Sequence, residues 1–387
     1  MTMKMIYLAN TRFPSEKAQS SQVMAMCEAF ARHGIEVLLL APDRKPVSAD
    51  DPFAYYARER TFSFQRVPCW DLIRYAWLGR IGLWVQTLTF LWNVRRFIKK
   101  LDPDVLYSRE PYVYLFSTGR AKRYWESHAS FRLWWLKRLA RHLDGVVTLT
   151  QASRKMFEGL GVATKRILVE PDAVDPRLFA VQPTHEEARQ RLNIPTNEFV
   201  CTYVGKFTTM GQPKGVDEAL EAVMRLRKRG QAVSFLAVGA TVEECRRYTS
   251  CEVDGMRTVG HVSQTELALY YAAADVLLMP FPWTEHYAFF MSPLKLFEYL
   301  MSGCPIIASD LPSVREVVSE HEVFFVPAAR LEDPIAREAT IEALERQIEY
   351  IAQHPMETQV KVVAAQQLSE RYTWQARAGR IVEFFSA

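Results

Sequence analysis

The stretch Met291-Ser-Pro-Leu-Lys-Leu-Phe-Glu-Tyr-Leu-Met-Ser-Gly303, followed by Cys304-Pro-Ile-Ile-Ala-Ser-Asp310, predicts a helix that leads into a buried strand. Ser292 is a good N-cap and Pro293 a good first helical residue, so the helix should begin there and end near Gly303. A short apolar run at 276–279 precedes it and is typical of a strand. Because open α/β folds bind ligands at the carboxyl ends of their strands, this helix start is a candidate binding site.

The same alternation of short apolar runs and amphipathic helical stretches continues along almost the whole chain, as it does in α/β proteins with parallel sheets. We expect helices at 22–33 and 83–100. Two Rossmann-like domains that face each other across a cleft are predicted, at residues 1–180 and 190–370, and a terminal helix at 371–387 is expected to pack back toward the first domain. The predicted strands lie at 5–9, 36–41, 104–107, 146–150, 167–170, 199–204, 234–238, 276–279, 305–308 and 323–326.

The composition is that of a globular protein, with 49% hydrophobic and 24% charged residues, and 387 residues are too many for one compact core. The net charge of +4 conceals an asymmetry, because residues 1–175 carry 27 Lys and Arg against 17 Asp and Glu, whereas residues 176–387 carry 21 against 27. A basic half suits an anionic partner such as phosphate, acidic glycan or a membrane surface, although a solvated basic face would give the same count.

The six cysteines include no C-x-x-C pair, so neither a zinc site nor a disulfide framework is indicated, and a reducing, cytoplasmic compartment is expected. The N-terminus reads as a first strand rather than a signal peptide. The longest uncharged run in an apolar context, residues 81–94, is shorter than the roughly 20 residues that span a bilayer.

Lys295 falls in the first turn of the predicted helix, where a cation is unfavourable beside the positive end of the helix dipole unless an anion compensates it. Free N–H groups of a first turn suit a phosphate, and Glu298 one turn later suits ribose hydroxyls. The alternative is an ordinary capped helix with a surface pair between Lys295 and Glu298.

A second candidate is Tyr203-Val-Gly-Lys-Phe-Thr-Thr-Met-Gly-Gln-Pro-Lys-Gly215, a strand that runs into a flexible loop and then a helix. Lys206 and Lys214 flank the loop, so both ammonium groups could converge on one diphosphate. The alternative is that both lysines are simply solvated.

Two stretches of the first half combine aromatic and basic residues, at 75–100 and 131–143. Such segments can lie in a membrane interface with their cations toward acidic head groups, which predicts peripheral contact with an anionic membrane at its inner, cytoplasmic face. Alternatively, their apolar residues face the domain core and their basic residues face water.

Taken together, these motifs resemble the retaining glycosyltransferases of family 4, which have the GT-B fold. The order and spacing of the motifs carry the resemblance, which covers nearly the whole chain. The matching segments are Ala9 to Ser21, Met26 to Gly34, Val204 to Lys206 with Lys214 and Gly215, Val259 to Val262, and Ser292 to Glu298.

The resemblance implies the residues of a donor site in the C-terminal domain and of an acceptor side in the N-terminal domain. It gives Lys206 and Lys214 to the donor diphosphate, Glu298 to the ribose, and His128 to the reacting sugar. Ser20 and Ser21 belong to the acceptor side. The remaining donor-binding candidates are Gly205, Gly260, His261, Val262, Leu267, Ser292, Pro293, Leu294 and Lys295.

The activity implied is transfer of a hexose from a UDP- or GDP-linked donor to a glycan or lipid-linked acceptor, with retention, in polysaccharide biosynthesis. The resemblance implies that the lysines stabilise the leaving group without a metal, so no metal and no cofactor are expected. No nucleic-acid partner is expected either.

Three departures from the family pattern stand out. The first glutamate of the family's Glu, seven residues, Glu motif should fall at residue 290, which is Phe290. The family's Phe-Gly pair is replaced by Ser292-Pro293, and its glycine-rich acceptor-side loop by Ala18-Gln-Ser-Ser21. We interpret these changes as altered sugar contacts, but a non-catalytic glycosyltransferase-like subunit remains an alternative. A nucleotide-sugar epimerase of the same fold is another.

Overall fold

The computed structural model describes residues 2–15, 17–111, 114, 120–128, 134–209, 211–249 and 255–386. The chain folds into two compact units. Unit 1 comprises Met1–Glu170 together with Trp374–Ala387, and unit 2 comprises Pro171–Thr373. Unit 2 is therefore inserted into the chain of unit 1.

Unit 1 is built on a seven-stranded sheet in the order β3-β2-β1-β4-β5-β6-β7. Neighbouring strands are parallel. The strands are β1 Lys4–Leu8, β2 Glu36–Pro42, β3 Ser63–Val67, β4 Val105–Ser108, β5 Lys122–Ser127, β6 Gly145–Thr148 and β7 Ile167–Val169.

The helices of unit 1 connect these strands and cover the sheet. They are α1 Ala18–Arg32, α2 Pro52–Tyr55, α3 Gly79–Leu101, α4 Trp134–Arg141 and α5 Gln151–Gly159, with short 3-10 helices at Leu72–Arg74, Ala76–Leu78 and Thr164–Arg166.

Unit 2 contains a six-stranded parallel sheet in the order β12-β11-β8-β13-β14-β15. A small antiparallel ribbon of β9 and β10 lies in the loop after β8. The strands are β8 Phe199–Val204, β9 Thr208–Thr209, β10 Gln212–Pro213, β11 Val233–Val238, β12 Met256–Val259, β13 Val276–Met279, β14 Ile306–Ser309 and β15 Phe324–Val326.

The helices of unit 2 alternate with its strands and then close the unit with a helical pair. They are α6 His185–Leu192, α7 Val216–Lys228, α8 Val242–Thr249, α9 Gln264–Ala273, α10 Glu285–Phe289, α11 Leu294–Met301, α12 Pro312–Arg315, α13 Pro334–Gln353 and α14 Pro355–Ser369, with 3-10 helices at Pro176–Phe179 and Glu370–Tyr372.

Both sheets have the strand order of a Rossmann fold, in which the order reverses beside the first strand. The reversal falls between β1 and β4 in unit 1 and between β8 and β13 in unit 2. The central strands are apolar on both faces because helices cover them; all six residues of β11 are buried. In this fold the crevice at the carboxyl ends of the two strands at the reversal is the preferred ligand position.

All ten predicted strands are present, but the sequence pattern missed others. β3 and β12 lie at sheet edges, where half-exposed polar residues break the apolar run. β5 begins with two basic residues, Lys122 and Arg123, which conceal its buried second half. The predicted helices are both longer at their N-termini, beginning at Ala18 and Gly79.

The C-terminal helix α15, Trp374–Ser386, belongs to unit 1 and packs against α1. Its buried face includes Ile381 and Phe385, and the Phe385 ring centroid lies 4.4 Å from that of Tyr124 in β5. The aromatic contacts fix the end of the chain to the sheet of unit 1.

No helix among the described residues is both long enough and apolar enough to cross a membrane.

Candidate functional site

The loop after β8 begins at the strand reversal of unit 2 and carries Gly205 and Lys206. Gly205 has a φ of +123°, which glycine adopts without strain. A Cβ atom at this position would lie 3.4 Å from the Nζ atom of Lys295, so the absence of a side chain lets that amine approach the backbone. Lys206 is exposed, and its carbonyl accepts a hydrogen bond from the Tyr203 hydroxyl at 2.9 Å.

The Glu244 carboxylate, at the start of α8, anchors the same loop. Its Oε1 atom accepts hydrogen bonds from the backbone N–H groups of Phe207 and Thr208, each at 3.1 Å. Its other oxygen accepts from the Thr241 N–H at 2.8 Å. One carboxylate thus ties the Lys206 loop to the turn that follows β11.

Lys214 and Gly215 lie where this loop enters α7. The N–H of Lys214 donates to the Phe207 carbonyl at 2.9 Å, which closes the loop. Gly215 has a φ of +77°, and a Cβ atom there would come within 1.7 Å of the Pro280 carbonyl oxygen. Only glycine permits this approach, which brings the start of α7 against the end of β13.

Lys295 occupies the first turn of α11, and its side chain is buried. The Nζ atom lies 3.6 Å from the centroid of the Tyr203 ring and 5.2 Å from that of Phe281. Among the described residues it has no hydrogen-bond partner. Two aromatic rings stabilise a cation here, but its donors remain unused.

The three lysines of this edge repel one another electrostatically. Burial lowers the pKa of Lys214 to about 8, Glu244 opposes that change, and the charge on Lys206 adds to it. Burial also holds the pKa of Lys295 well below its ordinary value, and the charge on Lys214 lowers it further. Concentrated cations with unused donors are the chemistry that binds an anion.

Glu298 lies one turn beyond Lys295 and is half-buried. Its Oε2 atom accepts a hydrogen bond from the Tyr271 hydroxyl of α9 at 2.7 Å. Burial raises its pKa, and Tyr271 and Lys295 oppose that rise. The pair is therefore not the solvated surface pair of the alternative interpretation, and Glu298 retains a carboxylate oxygen that can accept further hydrogen bonds.

Gly260, His261 and Val262 follow β12, two strands away from Lys206 along the same sheet edge. Gly260 and His261 are exposed, and the Gly260 carbonyl accepts a hydrogen bond from the N–H of Gly239 at the end of β11. Leu267 lies in α9, one turn before Tyr271, and packs partly against the core. The predicted nucleoside residues thus lie at the sheet edge of Lys206 and on α9, the helix whose Tyr271 contacts Glu298.

The predicted cap of α11 is wrong. The helix begins at Leu294, and Pro293 is its N-cap, with an extended backbone and no side-chain hydrogen bond. The Ser292 hydroxyl instead accepts a hydrogen bond from the backbone N–H of Asp172 at 2.8 Å, so it is engaged with the chain entering unit 2. Pro293 cannot donate, which leaves the first free helix N–H groups at Leu294 and Lys295.

A second polar cluster lies in unit 1 around His128, directly after β5. The His128 Nε2 atom lies 2.5 Å from Oε1 of Glu126, whose carboxylate is fully buried. The same oxygen accepts from Arg377 at 3.0 Å and from the Gln22 side chain at 3.0 Å. The Tyr107 hydroxyl donates to the other carboxylate oxygen at 2.5 Å.

Burial alone would raise the pKa of Glu126, but Arg377, His128 and Arg109 outweigh it and hold that pKa well below its ordinary range. The carboxylate is therefore charged and fixes the ring of His128, whose side chain keeps 15% of its surface exposed. A partly exposed imidazole held by a buried carboxylate is a common arrangement in active sites.

Ser20 and Ser21 lie in the first turn of α1. Ser20 is fully buried, and its hydroxyl lies 3.3 Å from that of Thr11 and donates to the Arg12 carbonyl. Ser21 is half-buried. Gln22 of the same helix approaches His128, and its Nε2 atom lies 3.3 Å from Nε2 of the imidazole.

Among the described residues, no group of three or more His, Cys, Asp or Glu side chains is arranged to hold a metal ion.

Two protein-family models match adjacent parts of the chain. Residues 19–178 match the model described as "Glycosyltransferase Family 4", and residues 198–348 match "Glycosyl transferases group 1". The chain belongs to the family 4 glycosyltransferases.

The chain is also similar to named relatives and to solved structures. The 2-deoxystreptamine glucosyltransferase of Streptomyces kanamyceticus is 30% identical over 154 residues, which cover 38% of each chain. The GDP-mannose-dependent α-mannosyltransferase of Mycobacterium tuberculosis is 24% identical over 340 residues, 82% of each chain. HepE of Anabaena, solved in complex with UDP and glucose, is 16% identical and superimposes with a TM-score of 0.72 over 99% of each chain.

The chain spans about two-fifths of the length of the Streptomyces relative that it matches. The likeness to HepE establishes the fold, which is the two-domain GT-B fold of family 4 enzymes.

Phe290, the main departure from the family 4 pattern, is half-buried and caps the short helix α10. Its N–H donates to the His286 carbonyl at 2.9 Å. Glu285, the nearby carboxylate, lies at the other end of the same helix, in its first turn. Position 290 of this chain therefore offers a ring where the family motif has a carboxylate.

Several residues that the sequence pattern missed contact or position the predicted site residues, although most of them lie far from these in the sequence. Tyr203 and Phe281 enclose the Lys295 amine. Glu244 fixes the Lys206 loop. Arg377 keeps the Glu126 carboxylate in its charged form. The position of Tyr203 near the end of a buried strand was a weak signal, since many core tyrosines share it. Nothing in the sequence joins Arg377 to Glu126, 251 residues away.

Proposed function

We propose that this chain transfers a hexose from a nucleoside-diphosphate sugar to an acceptor hydroxyl, and that the donor diphosphate binds at the carboxyl edge of the unit 2 sheet. The observation that supports this proposal most directly is the buried amine of Lys295, which has no hydrogen-bond partner in the described chain and faces Gly205. With Lys206 and Lys214 it forms a cationic site whose charges oppose one another until an anion arrives.

The donor is proposed to be UDP- or GDP-linked. UDP is bound by HepE of Anabaena, which has the same fold, and the mycobacterial relative uses GDP-mannose by name. Glu298 is proposed to accept hydrogen bonds from the ribose, and Gly260, His261, Val262 and Leu267 are proposed to line the nucleobase.

The reaction is proposed to proceed with retention and without metal. The bond between the anomeric carbon and the diphosphate oxygen breaks, and its electron pair stays with that oxygen. The acceptor oxygen forms the new glycosidic bond, and its proton leaves to the departing diphosphate. The lysines stabilise the charge that develops on the leaving group, which is commonly the largest catalytic contribution.

In unit 1 we propose that His128 contacts the transferred sugar and that the turn containing Ser20 and Ser21 contributes to the acceptor side. Because the hydroxyl of Ser20 is already bonded to its own loop, its proposed contribution is to shape that turn.

The acceptor is proposed to be a glycan or a lipid-linked saccharide, in polysaccharide biosynthesis. Peripheral contact with an anionic membrane, at its inner, cytoplasmic face, is part of this proposal, because a lipid-linked acceptor would be reached there.

The site is tested by substituting its exposed and half-buried lysines. Lys206→Ala and Lys214→Ala should each lower turnover by roughly a hundredfold or more, because each removes a charge that stabilises the leaving diphosphate. Release of nucleoside diphosphate and transfer to acceptor are measured, after a panel of nucleotide sugars has been screened for thermal stabilisation.

Lys228→Ala is the matched control, since Lys228 is an exposed lysine at the far end of α7. Rates near wild type in both site variants would rule out the diphosphate site. Conversion of the donor sugar without any acceptor would instead identify an epimerase, and binding without either reaction would identify a non-catalytic subunit.

A further inference from the structure

Helix α3 of unit 1 has two apolar faces. Its inner face packs Phe90, Leu91, Val94 and Ile98 into the core. A core-facing helix of a globular domain normally has polar residues on the opposite side. On α3 the exposed surface also carries a stripe of large apolar residues.

The outer apolar stripe consists of Ile81, Trp84, Leu88 and Trp92, spaced three, four and four residues apart, so that all four lie on one side of the helix. Each keeps about half or more of its surface exposed: 66%, 55%, 48% and 61%. At 1.5 Å per residue the stripe is about 16 Å long.

The segment before α3 extends this stripe. Trp77 is 82% exposed and Trp70 is 69% exposed. The Trp70 N–H donates to the Thr89 hydroxyl of α3 at 3.1 Å, which fixes the segment beside the helix. The α3 outer surface is defined by Trp70, Tyr75, Trp77, Ile81, Trp84, Leu88 and Trp92.

The charged residues of α3 and of the segment just before it are all basic. Residues 72–101 contain six Lys and Arg and no Asp or Glu. The preceding Asp71 is paired with Arg44 at 3.1 Å. Exposed cations lie at both ends of the outer stripe, with Arg74 and Arg80 before it and Arg96, Lys99 and Lys100 after it.

The charge distribution favours one of two partners for this surface, a second copy of the chain or a lipid bilayer. A second copy of the chain, related by a two-fold axis through this surface, would bring the cations of both copies together. Indole rings and cations side by side suit the interface of a bilayer, where the rings lie at the head-group level and the cations meet acidic lipids.

The other aromatic and basic stretch, predicted at 131–143, differs from α3. Residues 131–133 and the side chains of residues 134–136 lie outside the described part of the chain. Of the rest, Leu143 is buried and Leu139 packs against the core of unit 1, while Lys137 and Arg138 are exposed. The described part of this stretch therefore matches the core-facing alternative.

We propose that the α3 outer surface docks on anionic lipid membrane, with the helix axis along the membrane plane. The inference deepens the membrane contact of the proposed function, because it names the surface that makes the contact. Docking does not depend on the donor site.

The experiment is flotation of the purified protein, without nucleotide, on vesicles of phosphatidylcholine with and without phosphatidylglycerol. The wild-type protein should float with the anionic vesicles, and high salt should weaken the association. The double variant Trp84→Ser with Trp92→Ser should lose at least about tenfold in the vesicle partition coefficient. Tryptophan fluorescence of the wild type should shift to the blue on binding.

The matched control is Met356→Ser with Val360→Ser, which removes two apolar side chains that are 82% and 70% exposed on α14 of unit 2. This control should bind vesicles as the wild type does. Absence of wild-type binding at low salt, or undiminished binding of the tryptophan variant, would overturn the proposal.

Sedimentation analysis tests the alternative partner of this surface, which is a second copy of the chain. A wild-type dimer that becomes a monomer in the tryptophan variant would overturn the proposal in favour of a second copy. Since no donor is present in any arm, a negative result leaves the transferase proposal standing.

Discussion

Lys295 is the residue whose environment is hardest to explain without a ligand. Enclosing an ammonium group costs free energy unless its donors are bonded, and here the described chain gives the amine aromatic rings but no hydrogen-bond partner. Sequence reasoning selected Lys295 because a cation in a first helical turn opposes the helix dipole. It could not predict the rings of Tyr203 and Phe281, because these meet only after β8, β13 and α11 have packed.

Lys295→Met should separate a binding role from a structural one. Methionine is unbranched and only one atom shorter than lysine, and it removes the charge, so the affinity for UDP or GDP should fall about ten- to a hundredfold. The free energy of unfolding of the ligand-free protein should not fall, because the cost of the buried cation disappears with it. Calorimetric titration and urea unfolding provide the two readouts, and unchanged nucleotide affinity would contradict a role in donor binding.

At the level of elements, the sequence predicted the strands well and the edges of the sheets poorly. β8 and β11 are apolar on both faces and stand out in the sequence, whereas β3 and β12 at the edges alternate weakly. For α3 the sequence left two interpretations open, since a helix that is apolar all round fits either a core or a membrane surface. Only the folded structure of unit 1 shows which side chains of α3 remain exposed to solvent.

The terminal helix α15 contributes one side chain that no local pattern predicts. Arg377 and Glu126 form an ion pair in which both side chains have 0% exposure. Removing one partner of such a pair leaves a buried uncompensated charge, which is strongly destabilising. The end of the chain is thereby linked to the residue that holds His128.

Arg377→Met should lower the free energy of unfolding by about 3–5 kcal/mol. The matched control is Arg380→Met, on the next turn of α15, whose partly exposed pair with Glu170 should contribute less, on the order of 1 kcal/mol. The double variant Arg377→Met with Glu126→Gln should recover part of the loss, because neither buried charge remains. Urea unfolding measures all three, and equal effects of Arg377→Met and Arg380→Met would contradict the assignment.

At the scale of the whole molecule, the charge difference between the two structural units is larger than the difference between the two halves of the sequence. Unit 1 carries 29 Lys and Arg against 16 Asp and Glu, and unit 2 carries 19 against 28. The asymmetry was visible in the halves of the sequence, but the return of α15 to unit 1 was needed to assign Arg377 and Arg380 to the basic unit. The proposed donor site, with its three lysines, therefore lies in the acidic unit, so its positive charge is local rather than a property of the whole unit.

The stability of the whole chain is linked to protons through Lys214. Its pKa is about 8 in the folded chain, below the ordinary value near 10.5, because burial disfavours the charged form. The ligand-free folded state therefore binds fewer protons than the unfolded state between these values, and its stability from this group rises with pH across that window. A bound diphosphate reverses the preference, because it stabilises the ammonium form.

Stabilisation of the chain by nucleoside diphosphate should accordingly weaken as the pH rises through about 8. Glu244, Lys206 and Lys295 also face Lys214, and Lys295, whose pKa is also lowered by burial, should add to this fall. The measurement is the rise in melting temperature with UDP or GDP at a fixed concentration between about pH 6 and pH 10. Lys214→Arg, which keeps its charge over this range, should remove the additional fall above pH 8. A profile that is flat in the wild-type protein would mean that no proton is taken up with the nucleotide, and that the lysines do not meet its phosphates.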